Sequence, residues 1–230
     1  MKISWLLFDA DNTLLDFTSA SKASLWQSFE DYHLECDDQI YATYKEINSA
    51  VWSEFERGDI TAVELRRKRF DVLFNAKNIK GIDPSQFSSS FLNNLILKSE
   101  SYSGVDSLLA SLRTKFRVSL VTNGLKEVQR PRLEKLNLTK YFDSIVVSDE
   151  IGVAKPDQKF FDHTFRSIDN PPPKSEVLII GDNPISDIQG GQDYGIRTCW
   201  VSNGRSNISS PNSDFTVKEV GELRSLLDLD

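Results

Sequence analysis

Short apolar runs, each about as long as a buried strand, set the fold class of this chain. One lies at residues 3–8, and four more follow Glu100. Their Val, Ile and Leu content is typical of strands covered on both faces, and helix-length amphipathic stretches separate the later ones. This alternation predicts an α/β fold, with a doubly wound parallel sheet and helices on both faces. The predicted strands are 3–8, 116–121, 144–148, 177–180 and 196–201, and the predicted helices between them are 105–115, 127–138, 158–167 and 184–193.

The segment from Phe17 to Glu100 has helical periodicity instead of strand-like runs. Tyr44 and Val51 belong to an apolar stripe at helical spacing. Helix starts are predicted by the capping-box pattern that opens at Thr61 and by the pair Asp83 and Pro84. We therefore expect two domains, an α/β core of residues 1–16 and 101–230 and a small all-helical cap of residues 17–100 inserted after the first strand. The charges of residues 66–69 are interpreted as a solvated face.

Composition excludes several classes of partner. The formal net charge of −7 and the pI near 5.0 argue against a nucleic-acid polymer or an anionic membrane as partner. Cys36 and Cys199 show no zinc-site spacing. The apolar run after Met1 ends at Asp9, too short for a signal peptide or a membrane span. The sequence predicts a cytoplasmic protein and leaves its oligomeric state open.

Two aspartates follow the first predicted strand. Asp9 and Asp11 stand in the run Asp-Ala-Asp-Asn-Thr directly after Phe8. Carboxylates that are desolvated a few Å apart need a cation to stay ionised, so the pattern indicates a divalent metal site. Asp, Asn and Thr also form turns and helix caps, and the motif alone does not separate the two interpretations.

The other predicted strands end in residues suited to the same chemistry. Ligands of a doubly wound sheet bind beyond the carboxyl ends of its strands. Thr122 and Asn123 follow the second predicted strand, Lys155 precedes Pro156 after the third, and Asp182 and Asp187 follow the fourth. Each of these residues could instead have a purely structural role, as a helix cap, a turn residue or a surface lysine. Together they are typical of phosphoryl transfer, which requires a carboxylate nucleophile, an acid and base, oxygen ligands for Mg²⁺ and a cation for the phosphate.

These four segments resemble the motifs of the haloacid dehalogenase superfamily, and the helical insertion resembles its first type of cap. The resemblance implies that Asp9 is the nucleophile, that Asp11 is the acid and base, and that Thr122, Lys155 and Asn123 hold the phosphoryl group. It also implies that Asp9, the Asp11 carbonyl and Asp182 bind Mg²⁺, while Asp187 orients the waters of the metal. Asn12 stands where many members have glycine, and Asn tolerates the left-handed backbone that the turn requires.

Asp11 favours a phosphatase within this superfamily, because dehalogenases and transport ATPases lack an aspartate at this place. Phosphonatases use a cap lysine, and Lys45, Lys68 and Lys77 keep that alternative open. The segments 5–11, 55–61, 121–124 and 151–156 resemble bacterial pyrimidine 5'-nucleotidases. This narrower resemblance implies hydrolysis of small phosphate esters such as UMP, dUMP and dTMP through an aspartyl phosphate. A sugar-phosphate phosphatase, a phosphoglucomutase-like phosphotransferase and a catalytically silent binding module are the alternatives.

Overall fold

A computed structural model gives the fold of the chain and describes residues 2–204 and 211–229. Within these residues, six strands form one sheet in which every neighbouring pair is parallel, in the order β3-β2-β1-β4-β5-β6. The predicted α/β class and doubly wound sheet are confirmed. The strands are β1 (Trp5–Phe8), β2 (Arg117–Thr122), β3 (Ser144–Val147), β4 (Val177–Gly181), β5 (Arg197–Val201) and β6 (Phe215–Val217).

Strand β1 lies in the middle of the sheet and is covered on both faces. Its four side chains are fully buried. Because successive strand residues point to opposite faces, Leu6 and Phe8 belong to one hydrophobic cluster and Trp5 and Leu7 to another. Burying an apolar side chain of this size stabilises a fold by about 1.5–3 kcal/mol. The double cover explains why β1 reads as a continuous apolar run.

Short helices lie between and after the strands that follow the insertion. They are α5 (Val105–Leu112), α6 (Lys126–Lys135), α7 (Ser148–Ile151), α8 (Gln158–Arg166), α9 (Gly190–Tyr194) and α10 (Leu223–Leu226). Residues 184–189 form a π-helical turn, where the sequence predicts one continuous helix over 184–193. π-Turns often occur at functional sites, and this one directly follows β4.

Four longer helices occupy the segment after β1. They are α1 (Phe17–Asp31), α2 (Asp38–Glu56), α3 (Ala62–Ala76) and α4 (Pro84–Lys98). Thr61 and Glu64 form the predicted capping box of α3, and Asp83 caps α4 with Pro84 in its first turn. The chain divides into two compact units. The core unit comprises Met1–Asp16, Glu100–Lys126 and Leu133–Asp230, and the helical unit comprises Phe17–Ser99 and Glu127–Arg132.

Arg69 is buried inside the helical unit, and the predicted solvated face is wrong for this residue. Only 2% of its surface is exposed. Its guanidinium carbon lies 5.0 Å from the ring centroid of Phe70 and 5.1 Å from that of Phe91. The buried stripe of α3 includes Leu65 and Leu73, and Arg69 falls between them at helical spacing. A guanidinium stacks on aromatic rings and so tolerates this position better than most charged groups.

The two ends of the helical insertion are joined by main-chain hydrogen bonds within the core unit. The Asp16 amide donates to the Glu100 carbonyl at 3.1 Å, and the Tyr102 amide donates to the Leu14 carbonyl at 3.0 Å. Leu15 and Ser101 form an antiparallel bridge between them. The chain thus leaves the core unit and returns to it at adjacent points. In the described part of the chain, the helices are too short or too polar to span a bilayer.

Candidate active site

The candidate site lies at the carboxyl ends of the three central strands. Asp9 follows β1, Thr122 ends β2, and Asp182 follows β4. Because β1 is hydrogen-bonded to both β2 and β4, these three residues leave the sheet side by side. The Asp9 amide donates to the Ile180 carbonyl at 2.9 Å, which continues the ladder between β1 and β4 by one step. Parallel pairing therefore brings together residues that are far apart in sequence, such as Asp9 and Asp182.

Lys155 lies in the middle of the acidic residues. Its side chain is 1% exposed, and its Nζ donates to Asp9 Oδ1 at 2.8 Å, to Asp187 Oδ1 at 2.6 Å and to the Val121 carbonyl at 2.8 Å. An ammonium group has three N–H donors. All three are occupied, so the position of Nζ is fixed by β1, β2 and the π-turn together. The surface-lysine alternative is wrong for Lys155.

Asp9, Asp182 and Asp187 form a buried acidic cluster. One carboxylate oxygen from each residue lies within 4.8 Å of the others. Lys155 contributes one ammonium, which contacts Asp9 and Asp187, to a buried cluster of three carboxylates, so negative groups outnumber positive ones in this cluster. Hard oxygen ligands at this spacing suit a divalent ion such as Mg²⁺, which would supply the missing positive charge. The donor set fits the predicted metal, with Asp187 close enough to belong to it.

Burial and neighbouring charges shift the titration of the two central groups. Burial raises the pKa of Asp9 well above its ordinary value; Lys155 counteracts this shift, whereas the carboxylates of Asp187 and Asp182 reinforce it. For Lys155, burial by itself lowers the pKa, but Asp187 and Asp9 outweigh it and hold the pKa above the ordinary value. Lys155 is therefore a charged ammonium at neutral pH. A permanent cation beside Asp9 favours its ionised, nucleophilic form.

The π-turn sets the position of Asp187. The side chain of Asn183 caps the turn, because its Oδ1 accepts hydrogen bonds from the main-chain amides of Ile185 and Ser186. The main-chain amide of Asn183 donates to Asp187 Oδ2 at 3.0 Å. With Oδ1 on Lys155 and Oδ2 on this amide, both carboxylate oxygens of Asp187 are engaged. Asp187 is completely buried. Its carboxylate contacts Lys155 and the Asn183 amide, so the simple helix-cap interpretation does not describe it.

The backbone of Asp182 is anchored by the neighbouring strand. Trp200 of β5 donates from Nε1 to the Asp182 carbonyl at 3.0 Å in a buried hydrogen bond. Sequence reasoning missed this contact, because Trp200 reads as one more apolar residue of β5. The contact follows from the register of β4 and β5, which places Gly181 opposite Trp200.

Two further residues of the predicted site have defined positions. Asn12 adopts a left-handed backbone with φ of 57°, as predicted, and its amide donates to the Leu15 carbonyl at 2.7 Å. Asn123 exchanges hydrogen bonds with the main chain of Lys155, a relationship that the sequence does not reveal. Thr122 is buried at the end of β2. The catalytic and binding roles of these residues remain predictions.

A parallel sheet whose central strands end in buried carboxylates around a lysine has the architecture of a doubly wound α/β protein that forms its ligand site at the carboxyl ends of its strands. The sequence profile described as haloacid dehalogenase-like hydrolase matches residues 6–201. The chain belongs to this family.

Two relatives and one solved structure show how far the similarity extends. The chain is 35% identical over 228 residues to pyrimidine 5'-nucleotidase YjjG of Escherichia coli strain K12, covering 99% of both proteins. It is 33% identical over 231 residues to pyrimidine 5'-nucleotidase PynA of Streptococcus pneumoniae, covering 99% of this chain and 96% of that protein. The magnesium-bound crystal structure of the HAD-hydrolase YfnB of Bacillus subtilis superposes with a TM-score of 0.91 at 30% identity, covering 99% of this chain and 100% of the other.

Proposed function

We propose that this protein is a Mg²⁺-dependent phosphomonoesterase whose substrates are pyrimidine nucleoside monophosphates. The observation that carries the chemistry is the 2.8 Å contact between Lys155 Nζ and Asp9 Oδ1 inside a buried acidic cluster. A carboxylate held beside a permanent cation is prepared to attack an anionic group that it would otherwise repel. The similarity to two pyrimidine 5'-nucleotidases over nearly the whole chain supports the substrate class.

In the first step, one carboxylate oxygen of Asp9 attacks the phosphorus of the ester. The bond between phosphorus and the ester oxygen breaks, and Asp11 gives its proton to the departing alcohol. The product is an aspartyl phosphate on Asp9. Attack by Asp9 requires this residue to stay fixed. Its contact with Lys155 and the hydrogen bond from its main-chain amide to the Ile180 carbonyl supply that restraint.

In the second step, water hydrolyses the aspartyl phosphate. Asp11, now ionised, accepts a proton as the water oxygen bonds to phosphorus, and the bond between phosphorus and Asp9 breaks. Inorganic phosphate is released, and both aspartates regain their initial state. Asp11 thus makes the enzyme a hydrolase; if a second sugar hydroxyl took the place of water, the protein would be a phosphotransferase.

Thr122 and Lys155 would hold the phosphoryl oxygens. All three N–H groups of Lys155 have protein acceptors, so a phosphoryl oxygen would take over one of these bonds. Asp9, the Asp11 carbonyl and Asp182 would bind Mg²⁺, and the short distances to Asp187 are compatible with either a direct or a water-mediated contact. The ion supplies charge neutralisation for the phosphoryl group.

The helical unit would act as the predicted cap and select the part of the substrate beyond the phosphate. A small phosphate ester is the proposed partner, with neither a nucleic-acid polymer nor a membrane. We further propose that the protein works in the cytoplasm. The net charge of −7 supports these exclusions of polyanionic partners.

The test is phosphate release from a panel of UMP, dUMP, dTMP, purine monophosphates, sugar phosphates and p-nitrophenyl phosphate. Each is assayed with Mg²⁺ and with excess chelator, beside the Asp9→Asn variant. We expect chelator-sensitive release that is fastest with pyrimidine monophosphates and absent from the variant. Preference for sugar phosphates would overturn the nucleotidase assignment alone. No release from any ester would overturn the phosphatase assignment and favour a transferase or a binding module.

A further inference from the structure

Asn123 and Lys155 are joined by two reciprocal hydrogen bonds. Asn123 Nδ2 donates to the main-chain carbonyl of Lys155 at 2.8 Å, and the main-chain amide of Lys155 donates to Asn123 Oδ1 at 2.8 Å. The opposite amide orientation would put donor against donor and acceptor against acceptor, so the assignment of the oxygen and nitrogen atoms is determined by the contacts. The Asn123 side chain thus pairs with the main-chain amide and carbonyl of Lys155, as a neighbouring strand would.

This pairing fixes the backbone of Lys155, which lies in a loop. Lys155 lies between α7 and α8, outside the sheet, whereas Asn123 follows directly from β2. The ammonium at the other end of Lys155 must meet Asp9, Asp187 and the Val121 carbonyl together. The Asn123 bonds hold the backbone end of Lys155, so less conformational entropy is lost when the ammonium end is held by its three acceptors. Asn123 transmits the position of the sheet to the backbone of Lys155.

The pairing also orients the side-chain amide of Asn123 toward the main chain of Lys155. A side-chain amide has one oxygen with two lone pairs and one nitrogen with two N–H groups, and here one lone pair and one N–H group hold Lys155. Few other residue types would pair with a main-chain amide and carbonyl in this way from position 123, because the pairing needs a donor and an acceptor on the same terminal group. Serine offers too short a reach, and aspartate would present an acceptor to the Lys155 carbonyl.

We propose that Asn123 is a positioning residue that acts on the reaction through Lys155. This inference rests on the proposed role of Lys155 in the phosphatase reaction. The position of the Lys155 ammonium can be measured in the free enzyme, which separates this inference from the proposed function.

The first measurement is ¹H–¹⁵N NMR of the lysine ammonium groups in protein labelled with ¹⁵N-lysine. A buried ammonium with three acceptors exchanges slowly with water and gives a resolved signal, which the Lys155→Ala variant assigns by its absence. We expect Asn123→Ala to increase the water exchange rate of this signal at least about tenfold, since the backbone is released. Asn93→Ala, which changes an exposed asparagine of α4, should leave it unchanged. An unaltered signal in Asn123→Ala would overturn the proposal.

The second measurement is a double-mutant cycle of kcat and KM with p-nitrophenyl phosphate. We expect Asn123→Ala to lower kcat by about 10–100-fold in the native background, because misplacement of a catalytic group costs that much. In the Lys155→Ala background the same change should alter kcat less than twofold, since its effect passes through the missing lysine. Equal losses in both backgrounds, with a raised inhibition constant for inorganic phosphate, would show direct phosphate binding and contradict the proposal.

Folding is monitored by circular dichroism in every variant. Should Asn123→Ala not fold, Asn123→Asp takes its place, because it keeps the acceptor for the Lys155 amide and loses only the donor to the carbonyl. We expect the ammonium exchange rate to rise in this variant too. Absence of activity in the native enzyme would overturn the proposed function, while the NMR comparison would still decide the position of Lys155.

Discussion

Gly181 and Asp187 are so close that a Cβ atom on Gly181 would lie 2.2 Å from Asp187 Oδ2. Real Cβ atoms do not approach an oxygen to that distance, so position 181 must be glycine for the Asp187 carboxylate to stay in the cluster. The contact comes from the π-turn, which folds Asp187 back over the end of β4. It links a backbone position in the sheet to the charge balance of the site.

Gly181→Ala is therefore expected to displace Asp187. Overpacking of this kind costs about 1–3 kcal/mol of stability, and loss of the Asp187 contact with Lys155 should reduce kcat at least tenfold. Thermal unfolding and steady-state kinetics check both effects. Gly221→Ala is the matched control, since a Cβ there would contact nothing within 4 Å. Native activity in Gly181→Ala would show that Asp187 is not needed at its present position.

Trp200→Phe is expected to weaken Mg²⁺ binding about tenfold, because it removes the hydrogen bond that holds the Asp182 backbone. Isothermal titration calorimetry with Mg²⁺ measures the affinity. Trp5→Phe removes a similar buried bond, from Trp5 Nε1 to Ser119 Oγ at 2.9 Å, at a distance from the strand ends. Both variants should lose about 1–3 kcal/mol of stability, but only Trp200→Phe should bind Mg²⁺ less tightly. Equal affinities would separate Asp182 from the metal.

Lys155→Met is expected to reduce kcat by at least about 100-fold and to destabilise the metal-free protein by about 3–5 kcal/mol, since three carboxylates are then left without their buried cation. Added Mg²⁺ should raise the Tm of the variant more than that of the native protein, because the ion restores the missing positive charge. Differential scanning calorimetry in chelator and in Mg²⁺ makes the comparison. A Tm that Mg²⁺ raises equally in both proteins would argue against a metal in the acidic cluster.

Asp9→Asn is expected to lower kcat at least about 1000-fold, because the amide cannot attack phosphorus. The fold should be retained, and Tm in chelator should not fall, since one of three mutually repelling carboxylates is removed. Asp169→Asn changes an exposed aspartate in the core unit and serves as control. Most of the native kcat in Asp9→Asn would rule out Asp9 as the nucleophile.

The sheet was predictable from sequence because its strands are buried on both faces and appear as apolar runs. β6 escaped prediction because its three residues, Phe215–Val217, are too few to show a period. The predicted cap domain of residues 17–100 stays a prediction. The compact units place Glu100 in the core unit and residues 127–132 in the helical unit. Tertiary packing decides to which unit such a residue belongs, and the position of the residue in the sequence does not reveal that packing.

The residues at the strand ends could be located from sequence because parallel strands bring their carboxyl ends to one edge. Contacts between distant residues could not be inferred in this way. The bond from Trp200 to Asp182, the Asn123 pairing and the close approach at Gly181 depend on exact register and on the π-turn. Arg69 escaped for a different reason, since charge is a poor guide to burial where aromatic rings can receive a guanidinium.

The bridge between Leu15 and Ser101 closes the core main chain at the base of the helical insertion. The core main chain itself joins the points of departure and return, through the bonds at Asp16 and Tyr102. Neither the sheet nor the strand ends that carry the acidic cluster need the inserted chain for their connectivity. A change in the length or sequence of the insertion would therefore leave these main-chain contacts between residues 14–16 and 100–102 in place.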